Sequence, residues 1–102
     1  MAAQSAARIQ TATLTPASAD TVTITDPVRA FEIVHHGDVN SAIYFRVGRA
    51  TVPTAVVAAD ENEVVLAGER IRVQCSPQRA SEDQMISLIS AGAATYSVIG
   101  LL

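Results

Sequence analysis

The chain has 102 residues, of which 49% are hydrophobic and 17% charged, which fits one domain with its own core and excludes a disordered, highly charged tail. A net charge of −3 leaves no broad cationic surface to neutralise phosphates, so nucleic acid is not an expected partner. The longest uninterrupted apolar run, residues 55–59, is far too short for a membrane-spanning helix, and no membrane association is expected.

All seven basic residues are Arg. Arg forms planar, bidentate contacts and suits interfaces, although a codon bias towards Arg accounts for the composition without any functional demand. The single Cys75 permits no internal disulfide. The first residues lack the charged-then-apolar pattern of a secretory leader, so synthesis in a cytoplasm is expected.

Residues 1–20 are rich in Ala, Ser and Thr, with Ile9 and Leu14 as the large apolar side chains after Met1. Such a segment supplies little core. It reads as an N-terminal arm: flexible, a short Ala-rich helix, or an extended strap that orders on a neighbour. Arg8, Ile9 and Leu14 are its candidate interaction residues. The body is expected over 21–102. Thr21 to Thr25 alternates strictly and predicts a half-buried strand with Val22 and Ile24 inward, ended by Asp26-Pro27. Val28 to His35 predicts a second strand with Phe31 and Ile33 in the core, and 36–41 a loop or hairpin connection.

Ala42 to Val47 carries the strongest strand signal, with Ile43, Phe45 and Val47 on one face and Tyr44 and Arg46 on the other. Tyr and Arg are both enriched at interface cores, which makes Tyr44 and Arg46 candidate interaction residues. Residues 48–53 read as a turn, 54–59 as a short strand or irregular segment, and 60–63 as an acidic turn. After Val64-Val65-Leu66 and an Ala67-Gly68 turn, residues 69–75 predict a strand with Ile71, Val73 and Cys75 inward and Arg70, Arg72 and Gln74 outward. A loop over 76–80 follows. Residues 81–90 fit a helix with a Ser81/Gln84 capping box, but their alternation favours a strand. A small-residue turn over 91–94 then leads into a final strand over 95–102. Six to eight short strands at regular turn spacing argue for an all-β fold, an antiparallel β-sandwich or small barrel.

Chemistry-bearing motifs are sparse. His35-His36 with Asp38 resembles a set of metal ligands, but neighbouring strand residues point to opposite faces, so a solvated strand end is the better reading. Asp60-Glu61-Asn62-Glu63 lacks the spacing of a Ca²⁺ loop. The inward strand position of Cys75 reads as a buried small hydrophobe, and the phosphate-binding and nucleophile-elbow motifs are lacking. No catalytic, cofactor-binding or metal-ligating residue is therefore assigned, no cofactor is expected, and the chain is not read as an enzyme.

Ile43-Tyr44-Phe45, then Pro53-Thr54, then Val65 to Gly68, and finally Ser87 to Gly100 form a pattern that resembles small β-sandwich virion proteins of tailed bacteriophages. The match covers about 21–102, and it departs from the family at Leu66, where Pro is expected before the Ala-Gly turn. The resemblance implies a capsid decoration (cement) protein with no catalytic residues to carry over. In that role the partners are the major capsid protein and other copies of the chain, with a trimer favoured, and the site of action is the virion. An extended arm of twenty residues reaches tens of ångströms at ~3.3 Å per residue, far enough to pair with a neighbour's sheet edge. A head–tail connector, tail or fibre-base component is the alternative within virions. A ligand- or carbohydrate-binding sandwich is the alternative outside them, weakened because Phe31, Tyr44, Phe45 and Tyr96 are the only aromatics.

Overall fold

A computed structural model describes residues 3–6, 9–24, 30–49, 51–57, 63–74 and 84–101. Over these residues the chain is all-β, without a helix, and forms a small β-sandwich. Strand β1 (Ala3–Ala6) is followed by β2 (Ile9–Thr13), β3 (Asp20–Ile24), β4 (Ala30–His35) and β5 (Ile43–Arg49). Then come β6 (Glu63–Val65), β7 (Arg70–Gln74), β8 (Gln84–Ser90) and β9 (Thr95–Leu101). One sheet has the order β1-β3-β8-β5-β6 and the other β2-β9-β4-β7. Every pairing is antiparallel except that of β1 with β3, which run parallel.

The alternation in the sequence sets which side chains meet between the sheets. Val22, Ile24, Ile43, Phe45, Ile86 and Leu88 from one sheet face Phe31, Ile33, Tyr96 and Val98 from the other, all essentially inaccessible. Fully burying each of the aliphatic or Phe side chains contributes roughly 1.5–3 kcal/mol. The strand expected over 81–90 is present as β8 over 84–90, paired on both sides, and five of its seven residues are buried in succession, with segment 51–57 laid over its outer face through the Ala55 N–H bond to Ser87 Oγ. A central strand covered on both faces loses the inside–outside alternation of a half-buried one.

Connectivity departs from the expected hairpins. Consecutive strands alternate between the sheets throughout, except for β5 and β6, which are neighbours. Segments 36–42, 66–69 and 91–94 are thus crossings between sheets. With 14–19 they gather at one end of the sandwich, because Thr13 pairs with Thr95, Asp20 with Leu88, Val34 with Arg70 and Ile43 with both Val65 and Ser90.

The N-terminal arm expected over 1–20 is, over 3–6 and 9–13, part of this sandwich. β1 edges one sheet and β2 edges the other, and Leu14 lies in the core at 1% exposure. Large side chains are the signal by which a core strand is recognised, whereas an edge strand needs only its backbone ladder. Ala, Ser and Thr supply that as well as any residue. On the opposite flank β6 and β7 edge the two sheets in the same manner.

Two smaller expectations are also corrected. β5 continues to Arg49 instead of turning at Gly48. The chain then folds back so closely that a Cβ on Gly48 would clash with the Thr51 carbonyl oxygen. Val47 lies on the inward row yet is 37% exposed. Residues 51–57 are irregular, held down by Ala55, whose N–H donates to Ser87 Oγ at 2.9 Å. The expectations for the Asp26-Pro27 break, residues 60–62, Cys75, the 76–80 loop and Ser81 lie outside the described residues.

Candidate functional site

The candidate interaction residues fall in separate places. Arg8 lies outside the described residues, and Ile9 opens β2 opposite Ile99. Leu14 lies in the core, 1% exposed. Tyr44 and Arg46 do share the outward face of β5, both half-buried, with Tyr44 between Ile89 and Val64 and Arg46 opposite Ser87. That face is partly roofed by 51–57, where Val56 and Val57 are exposed. Ile9 on β2 and Tyr44 and Arg46 on β5 belong to different sheets, so these three described residues do not share one face.

A more developed polar arrangement sits at the end where the crossings gather. His35 is buried at the end of β4. Its Nδ1 accepts the Gly37 N–H at 2.9 Å, so the ring proton resides on Nε2, which donates to the Ser41 carbonyl at 2.7 Å. Both ring nitrogens are thereby committed to shaping the 36–42 crossing. Gly37 adopts φ 77°, a left-handed conformation that a side chain resists. A Cβ there would also lie 3.5 Å from Gly68, placing two crossings against each other.

His36 points to the outer face of the β2-β9-β4-β7 sheet, where its Nε2 lies 2.7 Å from Ser97 Oγ. Ser97 Oγ in turn lies 2.8 Å from Thr11 Oγ1 on β2. Asp38 accepts hydrogen bonds from the N–H and the hydroxyl of Thr95, at 3.1 and 2.7 Å, and the Thr95 hydroxyl lies 2.8 Å from that of Thr13. The Thr95 N–H and then its hydroxyl hold the Asp38 carboxyl below the ordinary carboxylate range. The His-His-Asp motif is thus divided among three different partners. No cluster of three or more potential metal ligands forms among the described residues.

What the motif does is anchor an edge. Two ladders, His36–Ser97–Thr11 and Asp38–Thr95–Thr13, run from the 36–42 crossing across β9 onto β2. Cross-strand hydroxyl pairs of this kind contribute roughly 0.2–1 kcal/mol each. The signal was present in the sequence as hydroxyl residues two apart at 11 and 13 and at 95 and 97. Their pairing across more than eighty residues of chain was not. On the other edge of the same sheet, Glu32 lies between Arg70 and Arg72, at 3.4 and 3.6 Å. The two Arg side chains are well exposed, so these ion pairs contribute little net stability.

Beneath the ladders, Tyr96 donates a buried hydrogen bond of 3.3 Å to Asp20 Oδ2 and ties the two sheets together. Burial raises the Asp20 carboxyl above its ordinary value against the pull of that hydrogen bond. Burial and the adjacent carboxylate raise the Tyr96 hydroxyl as well. Neither residue stands out in the sequence, because Asp20 closes a polar stretch and Tyr96 reads as ordinary core.

Among known proteins, no family model matches the chain and no curated protein matches it. The protein described as "Crystal structure of PirA" is similar in fold, with a TM-score of 0.56 at 12% sequence identity, covering 91% of this chain and 92% of that one. At that identity the likeness shows a shared fold.

Proposed function

We propose that this protein is a structural virion component of a tailed bacteriophage: a capsid decoration (cement) protein that binds the outside of the shell as a symmetric oligomer, with a trimer favoured, and stabilises it. The observation that carries the reading is the placement of the N-terminal segment. β1 and β2 edge both sheets on one flank and are held by backbone ladders that a neighbouring subunit's sheet edge can also offer. The sequence resemblance supports it, since the matching residues fall on β5, on β6 with the turn after it, and on β8 and β9. The polar side chains at the crossing end are engaged in tying strands together, as a rigid repeated building block requires.

Quantitative mass spectrometry of purified virions, against the major capsid protein, tests the proposal. Hundreds of copies per particle in simple ratio to the capsid protein are expected. About a dozen copies or fewer, the multiplicity of a symmetric ring at the neck or tail, would overturn decoration in favour of a connector or tail role. Absence from particles would overturn the virion reading.

A further inference from the structure

The connection between β2 and β3 contains a reverse turn built against the preference of its residues. Ser18 N–H donates to the Thr15 carbonyl at 3.1 Å, closing a turn with Pro16 and Ala17 at its centre. Pro16 suits the first central position. The second calls for a left-handed residue, normally Gly, and here Ala17 adopts φ 58°. It is the one non-glycine residue with positive φ among the described residues, so the strain is local to this connection.

The segment upstream of that turn joins the body as edge strands, β1 on one sheet and β2 on the other. Among its described side chains, Leu14 is the single large apolar one in the core, with Ala12 packed against it. Its attachment includes the backbone ladders of β1 and β2, the hydroxyl pairs from Thr11 and Thr13 and the Leu14 N–H bond to Ala94. A second copy of the chain offers all of these identically. An opened connection over 15–19 would span roughly 16 Å at ~3.3 Å per residue, against body dimensions of 37 × 24 × 22 Å. Thr15, preceding Pro16, already prefers extended backbone.

We infer that residues 3–14 are an exchangeable element: the turn at 15–18 is a strained hinge, and at high concentration it opens so that β1, β2 and Leu14 complete the sandwich of a second copy. The closed and exchanged forms share every contact outside the hinge, so the hinge sets the balance: relief of the Ala17 strain favours the opened form, against the closed form's Ser18–Thr15 bond and the Ala17 N–H bond to the Ser90 carbonyl at 2.8 Å. This inference stands on the hinge and the edges alone and is independent of any role in a virion.

The test is a Thr11→Cys/Ser97→Cys pair in a Cys75→Ser background, since the two hydroxyl oxygens lie 2.8 Å apart across the β2–β9 ladder. The full chain is concentrated, oxidised, and run on a denaturing, non-reducing gel beside size-exclusion chromatography with light scattering. Disulfide-linked dimers or closed rings are expected, in proportion to the oligomer in solution. The Ala17→Gly variant, which relieves the closed hinge, is expected to lower the exchange constant by about fivefold per hinge, or ~25-fold for a reciprocal pair. Intrachain disulfides alone would overturn the inference, whether the protein is monomeric or oligomeric. So would an oligomer population unchanged by Ala17→Gly.

Discussion

Two turns at the same end of the sandwich solve one geometric problem with different residues. In the turn Leu66–Glu69, the Glu69 N–H closes onto the Leu66 carbonyl at 2.9 Å, and Gly68 takes the left-handed position at φ 77°. The Glu69 carboxylate further accepts the Leu66 N–H at 3.0 Å. In the turn Thr15–Ser18 the same closing bond is made at 3.1 Å, but Ala17 stands where Gly68 stands in the other. The first turn joins β6 to β7 and its conformation costs little. The second joins β2 to β3 and holds a residue in a region that L side chains avoid. Two flanks that look equivalent in topology therefore differ in how firmly the chain is committed to its path.

The sharpest way to break this comparison is at the core anchor of each flank. Leu14→Ala removes the buried side chain beside the strained turn and is expected to cost about 2–5 kcal/mol. Ile71→Ala on β7, where the side chain is only partly buried, is expected to cost about 2 kcal/mol or less. Urea denaturation followed by far-ultraviolet circular dichroism reads both. Equal losses would mean that the N-terminal flank is no more dependent on one residue than the other.

Exchanging the turn residues should give effects of opposite sign. Gly68→Ala meets no atom within 4 Å, so any loss is purely conformational, at about 1–2 kcal/mol. Ala17→Gly is expected to raise stability by about 0.5–1 kcal/mol, the relief of strain being partly offset by the greater freedom of Gly in the unfolded chain. The same denaturation curves, taken at dilute protein to exclude exchange, decide it. A neutral Gly68→Ala would remove the conformational basis for distinguishing the turns.

The smallest effect expected is one of pH, and it involves the two acids that flank the connection between β2 and β3. Asp38, reaching β2 through Thr95 and Thr13, has its carboxyl held below the ordinary 3.8. Its contribution is present above that value and is lost as pH falls through the depressed one. Asp20, immediately after the connection, has its carboxyl raised above 3.8. The folded state therefore binds its proton more tightly than the unfolded chain, and stability declines as pH rises through that higher value. The two slopes oppose each other and give these acids a combined optimum near their ordinary value. Asp20→Asn should abolish the decline on the alkaline side while leaving the acid-side loss. Thermal unfolding between pH 3 and 7 measures both limbs, and an unchanged alkaline limb in Asp20→Asn would assign that decline elsewhere.

Much of this was written locally. Alternation placed Val22, Ile24, Phe31, Ile33, Ile43 and Phe45 inward, and each is buried. Turn chemistry located the breaks near Gly37, Gly68 and Gly92. The edge strands β1 and β2 escaped notice because their side chains are small and their stability is lent by partners far along the chain. Val47 deceived for the reverse reason, being apolar and in phase yet 37% exposed. At the candidate site, the residues of the His-His-Asp motif were conspicuous, while the hydroxyls that absorb them were not.

The period of each strand and the face that each side chain takes are local properties of the chain. Both follow from backbone geometry and the exclusion of apolar groups from water over a few residues. Which sheet each strand joins, that nearly every connection crosses between sheets, and that Asp20 finds Tyr96 rather than solvent were decided only in the tertiary structure. Pairing partners 57 to 86 residues apart, such as Asp38 with Thr95 and Thr11 with Ser97, are chosen by the joint packing of both sheets. No local stretch of sequence carries that information.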